Sequence, residues 1–456
     1  MLRVVVKVGL AGLLLVAAGC GSVAPAEKAP QKWQVGYWLW DHYGSRGSFE
    51  KTAVDVLYFH AVRLARIHYA GPATWSAFGS WPDDLPRANE YWVVFRAEEG
   101  GIPDGSAAKQ LAREVADLQK EASKRGARLS GIQLDIDSPT SQLHDYALFL
   151  RLVKNELPKG VALSITGLLD WFRPGTAVAE VVAAVDEFVP QFYDTEHSLG
   201  HGKISTQIQA AKRGPQFNRF GKRYKIGIST FGRAQIQEHP RNTRSNGVGL
   251  RASWISPDLA PRDIALAPGF ELEASTNPAG ERLLRYKATQ KTQVGYQNWE
   301  RGTQVEFVLA TPESVRDSVA RARQLGGHCA GVIFFRWPTP GETMALPPEV
   351  VLAAVEGKPV ARAAAELRVK DHKCAAVQCV DLTVSGIDPW SATAVRYHVE
   401  ISAEIDYFMP VTNSPARMVG PAALEVTIPP YVGVSQLRLG RAVAGVAATY
   451  TLKEAK

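Results

Sequence analysis

The segment from Ser130 to Asp137 carries the residues of this chain that are best suited to acid–base chemistry. Its sequence alternates apolar and polar residues, so a strand here would bury one face and turn Gln133, Asp135 and Asp137 to the other. Burying carboxylates without partners costs several kcal/mol each. The pattern therefore predicts a strand whose polar face lines an open cleft.

Asp135 and Asp137 are predicted to act as a pair. Side chains two residues apart on one strand face lie about 6–7 Å from each other, so their charges repel. One carboxyl is then expected to keep its proton near neutral pH, as a general acid requires. Glu98 is an alternative second carboxylate for a two-acid mechanism, but we favour a solvated loop acid at that position.

Short apolar runs alternate with helical patterns from Gln34 to Glu356, which is typical of a parallel β/α arrangement. Eight strands in this rhythm predict an α/β fold of the (β/α)8 TIM-barrel type. A doubly wound open sheet is the alternative, although no Gly-rich phosphate turn follows the first strand. The predicted strands are Val35–Trp40, Val54–Val62, Tyr91–Ala97, Leu129–Asp137, Ala162–Leu168, Glu187–Asp194, Tyr224–Thr230 and Gly331–Trp337.

Helices are predicted between several of these strands. Ala107–Lys124 and Ser141–Glu156 have apolar residues at helical spacing, and a third helix begins with the capping residue Thr311 and an early proline, Pro312. These elements would surround the barrel and fix its strands.

Two regions depart from the barrel rhythm. Glu238 to Arg301 is rich in Pro, Asn, Gly and Ser and follows the seventh strand, so we predict a loop-borne insertion near the active face. Residues 34–357 are assigned to the barrel and residues 365–456 to a small C-terminal β-sandwich, because short alternating segments follow Lys358. The predicted sandwich strands are Ala365–His372, Val380–Ser385, Ala394–Phe408, Leu424–Ile428, Gln436–Gly440 and Ala447–Lys453.

The N-terminus has the features of an export signal. Basic residues precede a short apolar core, and small residues stand directly before Cys20, which resembles the cleavage box of bacterial lipoproteins. We therefore predict a signal peptide at 1–20, lipidation of Cys20 and a tether at 21–33, rich in Ala, Pro and Lys. A plain secretory signal with an incidental cysteine is the alternative. Gly21 favours the outer membrane, facing the periplasm, as the location of the anchor.

The charge and the cysteine and histidine positions indicate which ligands and cross-links to expect. The formal net charge of +7 is dispersed, without a long Lys/Arg run, so nucleic acid is not an expected partner. Cys374 and Cys379 are predicted to form a disulfide, and Cys329 to be a buried free thiol. No cofactor or metal is expected, because His60 and His197 lack the ligand spacing of a metal-dependent deacetylase. The sequence does not determine the oligomeric state.

Four segments resemble, in order, those of glycoside hydrolase family 18, the chitinase-like barrels. Gly36-Tyr37-Trp38 resembles the start of that family's first strand, and Ser130 to Asp137 resembles its acidic fourth-strand motif. The other two matches are 189–194, Val-Pro-Gln-Phe-Tyr-Asp, on the sixth strand and 226–233, Ile-Gly-Ile-Ser-Thr-Phe-Gly-Arg, on the seventh. The chain also resembles a bacterial lipoprotein family known as a domain of unknown function (3142).

The resemblance implies a lipid-anchored glycosidase of the cell envelope that acts on an N-acetylhexosamine-containing glycan. It implies that Asp137 is the general acid, that Asp135 orients the substrate acetamido group, and that the Tyr193 hydroxyl steadies its carbonyl oxygen. The acetamido carbonyl itself would attack the anomeric carbon. Gln133, Gln191 and Asp194 are then expected to bind substrate, as are the aromatic residues Trp40, Trp171 and Trp337, whose flat rings suit sugar faces.

This sequence departs from the family pattern at the acid itself. The family has Glu where this chain has Asp137, and Ser130 and Gln133 replace two further aspartates. A carboxyl withdrawn by one methylene can cost on the order of a hundredfold in rate. A non-catalytic glycan-binding or scaffolding lipoprotein is therefore the alternative function. A second alternative makes the two aspartates part of a salt-bridged plug with Arg96 or Arg336.

Overall fold

The computed structural model describes residues 32–40, 53–67, 74–97, 101–193, 203–238, 252–256, 259–359 and 364–455. The predicted signal peptide, Cys20, most of the tether, Glu98, Asp194 and His197 lie outside these residues. No helix in the described part of the chain is long and apolar enough to span a membrane.

Eight parallel strands form a closed barrel, as predicted. Each strand pairs with its neighbour, and the first strand pairs with both the second and the eighth, which closes the ring. The fourth and sixth strands are shorter than predicted, and the second is longer and carries the antiparallel strand Thr74–Gly79 at its end. The barrel strands, numbered one to eight below, are Gln34–Leu39, Ala53–Ile67, Arg87–Ala97, Leu129–Asp135, Ala162–Gly167, Glu187–Pro190, Arg223–Ser229 and Cys329–Phe335.

Helices connect the strands in the right places for a β/α barrel. The carboxylate of Asp104 caps the helix after strand three by accepting from the amides of Ser106 and Ala107. Thr311 and Ser314 cap each other at the helix before strand eight. The helices of the barrel are Gly105–Lys124, Leu143–Glu156, Val178–Ala183, Ala210–Asn218, Pro312–Arg323 and Pro348–Val355, with a short 3₁₀ turn at Thr140–Gln142.

An insertion follows strand seven, as predicted, and it is folded into a sheet of its own. Five antiparallel strands form it, and Leu284, Tyr286 and Phe307 are among the residues of its own buried cluster. Alternation of buried and exposed residues along these strands explains why they form a one-sided sheet. Its strands are Arg233–Glu238, Ala252–Ser256, Phe270–Thr276, Arg282–Ala288 and Gln304–Leu309, accompanied by the hairpin Thr292–Val294 with Gln297–Trp299 and the helix Pro261–Ala265.

The C-terminal region is a sandwich of two four-stranded antiparallel sheets around a shared apolar core. The predicted segment Ala394–Phe408 contains two strands, and the strand Ala416–Gly420 had no prediction. A disulfide joins Cys374, just before the second strand of the sandwich, to Cys379 within that strand. The strands are Glu366–Asp371, Gln378–Ser385, Val395–Ile401, Tyr407–Pro410, Ala416–Gly420, Ala423–Ile428, Gln436–Ala444 and Tyr450–Glu454.

A buried ionic network fills the lower part of the barrel interior. The Lys225 ammonium group pairs with the Glu187 carboxylate and donates to the Tyr58 hydroxyl at 2.9 Å, and both charged side chains are at most 2% exposed. Arg223 reaches the same carboxylate at 3.1 Å. Burial lowers the pKa of Lys225, and the charge of Glu187 opposes that effect. Each buried charge is therefore compensated by a partner on a neighbouring strand.

This network yields a stability prediction. Glu187→Gln leaves the Lys225 charge buried without its counterion and is expected to lower the free energy of unfolding by about 3–5 kcal/mol. Lys225→Met should cost less, because Arg223 still compensates Glu187. The double variant should recover most of the loss. Urea denaturation of the three variants checks this, and equal losses in both single variants would contradict it.

Candidate active site

The two predicted carboxylates lie at the C-terminal mouth of the barrel. Asp135 is the last residue of strand four, and Asp137 follows it two residues later in an exposed position. The Thr166 hydroxyl, at the end of strand five, donates to Asp135 Oδ1 at 2.7 Å. Strand three brings Arg96 beside Asp135 in register. The mouth thus presents one half-buried and one open carboxyl, as the alternation along strand four requires.

The surroundings of both carboxyls favour their protonated forms. Burial raises the pKa of Asp135 to about 6, with a further upward contribution from the charge of Asp137. The Thr166 hydrogen bond and Arg96 oppose this shift. The pKa of Asp137 is also raised, first by burial of its carboxyl at the barrel rim and further by the charge of Asp170, while Arg96 opposes the shift. Groups of this kind are suited to proton transfer near neutral pH.

Gln133 lies one level below the mouth. It is fully buried, and its side-chain oxygen accepts from Trp38 Nε1 at 2.6 Å. Its amide nitrogen donates to Ser164 Oγ at 3.2 Å. The predicted contact with substrate is therefore not what the structure shows, because both ends of the amide bind neighbouring strands. Gln133 instead supports the floor beneath Asp135.

Tyr193 lies across the mouth from strand four and packs against aromatic neighbours. Its ring stacks on Phe335 with centroids 4.6 Å apart and contacts Trp38 edge-on at 5.7 Å. Gly227 leaves the space for this arrangement, since an added Cβ would lie 3.0 Å from both Trp38 and Tyr193. Gln191, two residues earlier, is half-buried and held by its backbone, which donates to the carbonyl oxygen of Gly167 at 2.9 Å.

The three predicted tryptophans occupy different environments. Trp40 is half-buried at the mouth, where its ring stacks on His60 at 4.8 Å and lies 5.1 Å from the Arg96 guanidinium carbon. Trp171 and Trp337 are only 1% and 2% exposed, so neither offers a ring face to a sugar, in contrast to the prediction.

Packing explains why Trp171 and Trp337 are buried. Trp171 donates its indole N–H to the Ser138 carbonyl oxygen at 2.8 Å and packs edge-on against Tyr146 of the helix Leu143–Glu156. Trp337 packs edge-on against Tyr37, which lies outside the interior aromatic cluster of the barrel. Trp171 therefore fixes the loop that follows Asp137, and Trp337 fills space outside the barrel interior.

Three residues of the mouth were not predicted to bind or act on substrate. Arg96, Thr166 and Phe335 end strands three, five and eight, on the inward face of each. The sequence contained a signal for these residues. Counting in steps of two along each strand from Trp92, Ser164 and Ile333 places them on the inward face, as it does Asp135.

The alternative of a salt-bridged plug is not supported by the contacts. Arg336 binds Glu342 with two hydrogen bonds of 3.0 and 2.7 Å. Among the described residues no ion pair within 4.0 Å joins Arg96 to Asp135 or Asp137. The ionic network of the barrel is the separate one around Lys225. Within the described ranges, no group of three or more His, Cys, Asp or Glu side chains is arranged to hold a metal ion.

Comparison with protein families agrees with the sequence resemblance. Residues 93–256 match the family model of a domain of unknown function (DUF3142). This range includes strand four, the mouth carboxylates and Tyr193. No curated protein matched the chain.

Solved structures that match this chain include a cortex-lytic enzyme, a chitinase and an N-acetylglucosaminidase. The Bacillus cereus spore cortex-lytic enzyme SleL has 14% identity and a TM-score of 0.45, with 74% of this chain and 76% of that chain covered. A family 18 chitinase of Cycas revoluta in complex with (GlcNAc)3 has 13% identity and a TM-score of 0.45, with coverages of 71% and 99%. A family 18 N-acetylglucosaminidase of Paenibacillus barengoltzii has 14% identity and a TM-score of 0.43, with coverages of 72% and 100%.

The raised pKa of Asp135 predicts a pH-dependent stability. The folded protein binds the Asp135 proton up to a pH of about 6, whereas the unfolded chain releases it near the ordinary aspartate pKa of 3.8, so stability falls as the pH rises through this window. Asp135→Asn keeps an acceptor for Thr166 and removes the buried charge. It should stabilise the protein by about 2 kcal/mol at a pH of about 8 and little at a pH of about 4.

Thermal unfolding at both pH values measures this effect. Asp117→Asn, on the exposed face of the helix Gly105–Lys124, is the matched control because it makes the same chemical change away from the mouth. A stabilisation of Asp135→Asn that is the same at both pH values would contradict the assignment of the raised pKa.

Proposed function

We propose that this protein is a glycoside hydrolase of the bacterial cell envelope, anchored by a lipid on Cys20, that cleaves an N-acetylhexosamine-containing glycan. The main evidence for this proposal is the pair of aspartates at the open mouth of the barrel, both with raised pKa values. The C-terminal mouth is where barrel enzymes place their catalytic groups. The fourth-strand resemblance to family 18 supplies the substrate class.

Asp137 is assigned as the general acid. Its carboxyl is the more exposed of the two, so it is the one that a glycosidic oxygen entering the mouth would reach. Burial and the neighbouring charge of Asp170 raise its pKa, which favours the protonated form that proton donation requires. The proton passes to the leaving oxygen as the glycosidic bond breaks.

Asp135 and Tyr193 are assigned to the substrate acetamido group. Above a pH of about 6, Asp135 is ionised and can accept the amide N–H, while the Thr166 hydrogen bond fixes the orientation of its carboxylate. Tyr193 is held against Phe335 and would donate its hydroxyl to the acetamido carbonyl oxygen. Holding this group in one orientation favours attack of the carbonyl oxygen on the anomeric carbon. Water then resolves the resulting intermediate.

A second candidate is a glycan-binding protein without catalysis. Arg96 lowers the pKa of both carboxyls and so favours their charged forms, which works against an acid catalyst. The short side chain of Asp137 adds to this argument. In this case the mouth would bind the same class of glycan without turnover.

The first activity test removes the proposed acid. Asp137→Asn is expected to reduce turnover of aryl N-acetylglucosaminides, chitin oligomers or peptidoglycan fragments by about 10²–10⁴-fold, since the proton donor is lost. Product release is measured by chromatography, with Asp117→Asn as the charge-matched control. Equal turnover in wild type and Asp137→Asn, or no turnover on any of these substrates, would contradict hydrolysis.

The second activity test restores the missing methylene. If hydrolysis is limited by the reach of the acid, Asp137→Glu should raise kcat by about 10–100-fold, because a displacement of about 1 Å has effects of this size. The change in KM should be small. Turnover that stays at the background rate in both forms, with retained glycan affinity, would instead support the binding function.

A further inference from the structure

The mouth of the barrel is electrostatically divided. The end of strand four carries Asp135 and Asp137, and Asp170 lies in the loop that follows strand five. Arg96 and Trp40 lie on the other side of strand four, at the ends of strands three and one, with Arg96 next to Asp135 in register. A guanidinium group binds an anionic substituent more strongly than a neutral one, so its position bears on the substrate.

Arg96 is exposed, and an aromatic ring holds its guanidinium group in place. Its guanidinium carbon lies 5.1 Å from the centroid of the Trp40 ring, a cation–π contact that orients the group. Trp40 is in turn stacked on His60 at 4.8 Å, so the indole is itself fixed by strand two. Within the described residues, Arg96 forms no ion pair with either mouth aspartate.

A guanidinium held over an aromatic ring keeps its in-plane N–H groups available to an acceptor. This planar fork matches a carboxylate with two parallel hydrogen bonds, which a lysine cannot reproduce. Trp40 contributes an apolar ring beside the fork, which suits the carbon frame that carries such a group. The chemical complement of this sector is therefore a carboxylate attached to a sugar.

We infer that Arg96 and Trp40 form a subsite for a carboxylate substituent, so that the glycan is an acidic one. The inference rests on the proposed function, and it narrows the substrate class from N-acetylhexosamine polymers to those that carry a carboxyl group. Such a group enters a glycan either as an O-lactyl ether of the amino sugar or as a uronic acid. The negative substituent docks at strand three while the aspartate sector faces the glycosidic bond, which fixes the direction of the bound chain.

The test compares ligands that differ only in this charge. Full-length protein carrying Asp137→Asn, which prevents turnover, is titrated calorimetrically with a tetrasaccharide that alternates N-acetylglucosamine and its 3-O-lactyl ether, and with the same tetrasaccharide amidated at the carboxyl. A second pair contains glucuronate in place of the lactyl ether. The acidic member of one pair should bind about tenfold more tightly than its amide, and less so at high salt.

Variants of two arginines on the same strand locate the effect. Arg96→Gln should reduce the preference for the acidic ligand to about one while leaving affinity for the amide nearly unchanged, and Arg96→Lys should retain part of it because the charge remains without the fork. Arg87→Gln, an exposed arginine at the opposite end of strand three, is the matched control and should keep the full preference.

The outcomes separate this inference from the proposed function. Equal affinity for acid and amide in both pairs, or a preference that survives Arg96→Gln, overturns the subsite while leaving glycan binding intact. Failure of all four ligands to bind overturns the subsite and counts against the proposed function as well. A preference confined to one pair, and lost in Arg96→Gln, supports the subsite and identifies the source of the carboxylate.

Discussion

Closure of the parallel strands into a barrel limits which inward positions of strand four can hold polar side chains. Every second residue points into the barrel interior, which solvent reaches only at the mouth. An inward polar side chain must therefore have a hydrogen-bonding partner or lie near the mouth. Gly131 is lowest, and an added Cβ there would lie 2.4 Å from the Trp92 ring. Gln133 is next and is fully hydrogen-bonded, and Asp135 and Asp137 complete the series. Unpaired carboxylates appear only where water can reach them.

The same constraint separates two kinds of charge in the barrel. Lys225 and Glu187 lie deep in the interior and are retained because each compensates the other. Among the described residues, the mouth aspartates have no such counterion within ion-pair distance, and their pKa values rise instead. The Lys225–Glu187 pair is therefore part of the folded interior. The carboxyls of Asp135 and Asp137 can instead carry a proton, which makes them suited to proton transfer.

Sequence patterns were enough to predict the barrel, but they predicted only part of the candidate site. The eight strands follow from short apolar runs between helical patterns, and the inward face of strand four follows from the two-residue alternation, because both patterns depend on local geometry. Trp171 and Trp337 were misplaced because their rings pack against Tyr146 and Tyr37, and these contacts cannot be read from the spacing along the chain. The partnership of Arg96 with Trp40 was missed for the same reason. It joins strands one and three across the mouth, and no spacing along the chain encodes such a contact.

Burial of Trp171 also bears on the short acid at position 137. Its indole N–H holds the Ser138 carbonyl oxygen, and Ser138 in turn donates its amide to the Ile136 carbonyl oxygen at 2.8 Å. The backbone on both sides of Asp137 is thus fixed by contacts that do not involve its carboxyl. A shorter side chain has fewer rotatable bonds, so a carboxyl on this rigid turn loses reach but also loses less entropy on being oriented. A glycan that is itself oriented at both ends would need less reach from the acid, and the division of charge around the mouth offers such orientation. If Asp137 is the acid and Arg96 binds a carboxylate, as proposed, the two residues would act together, with the ligand brought to the acid.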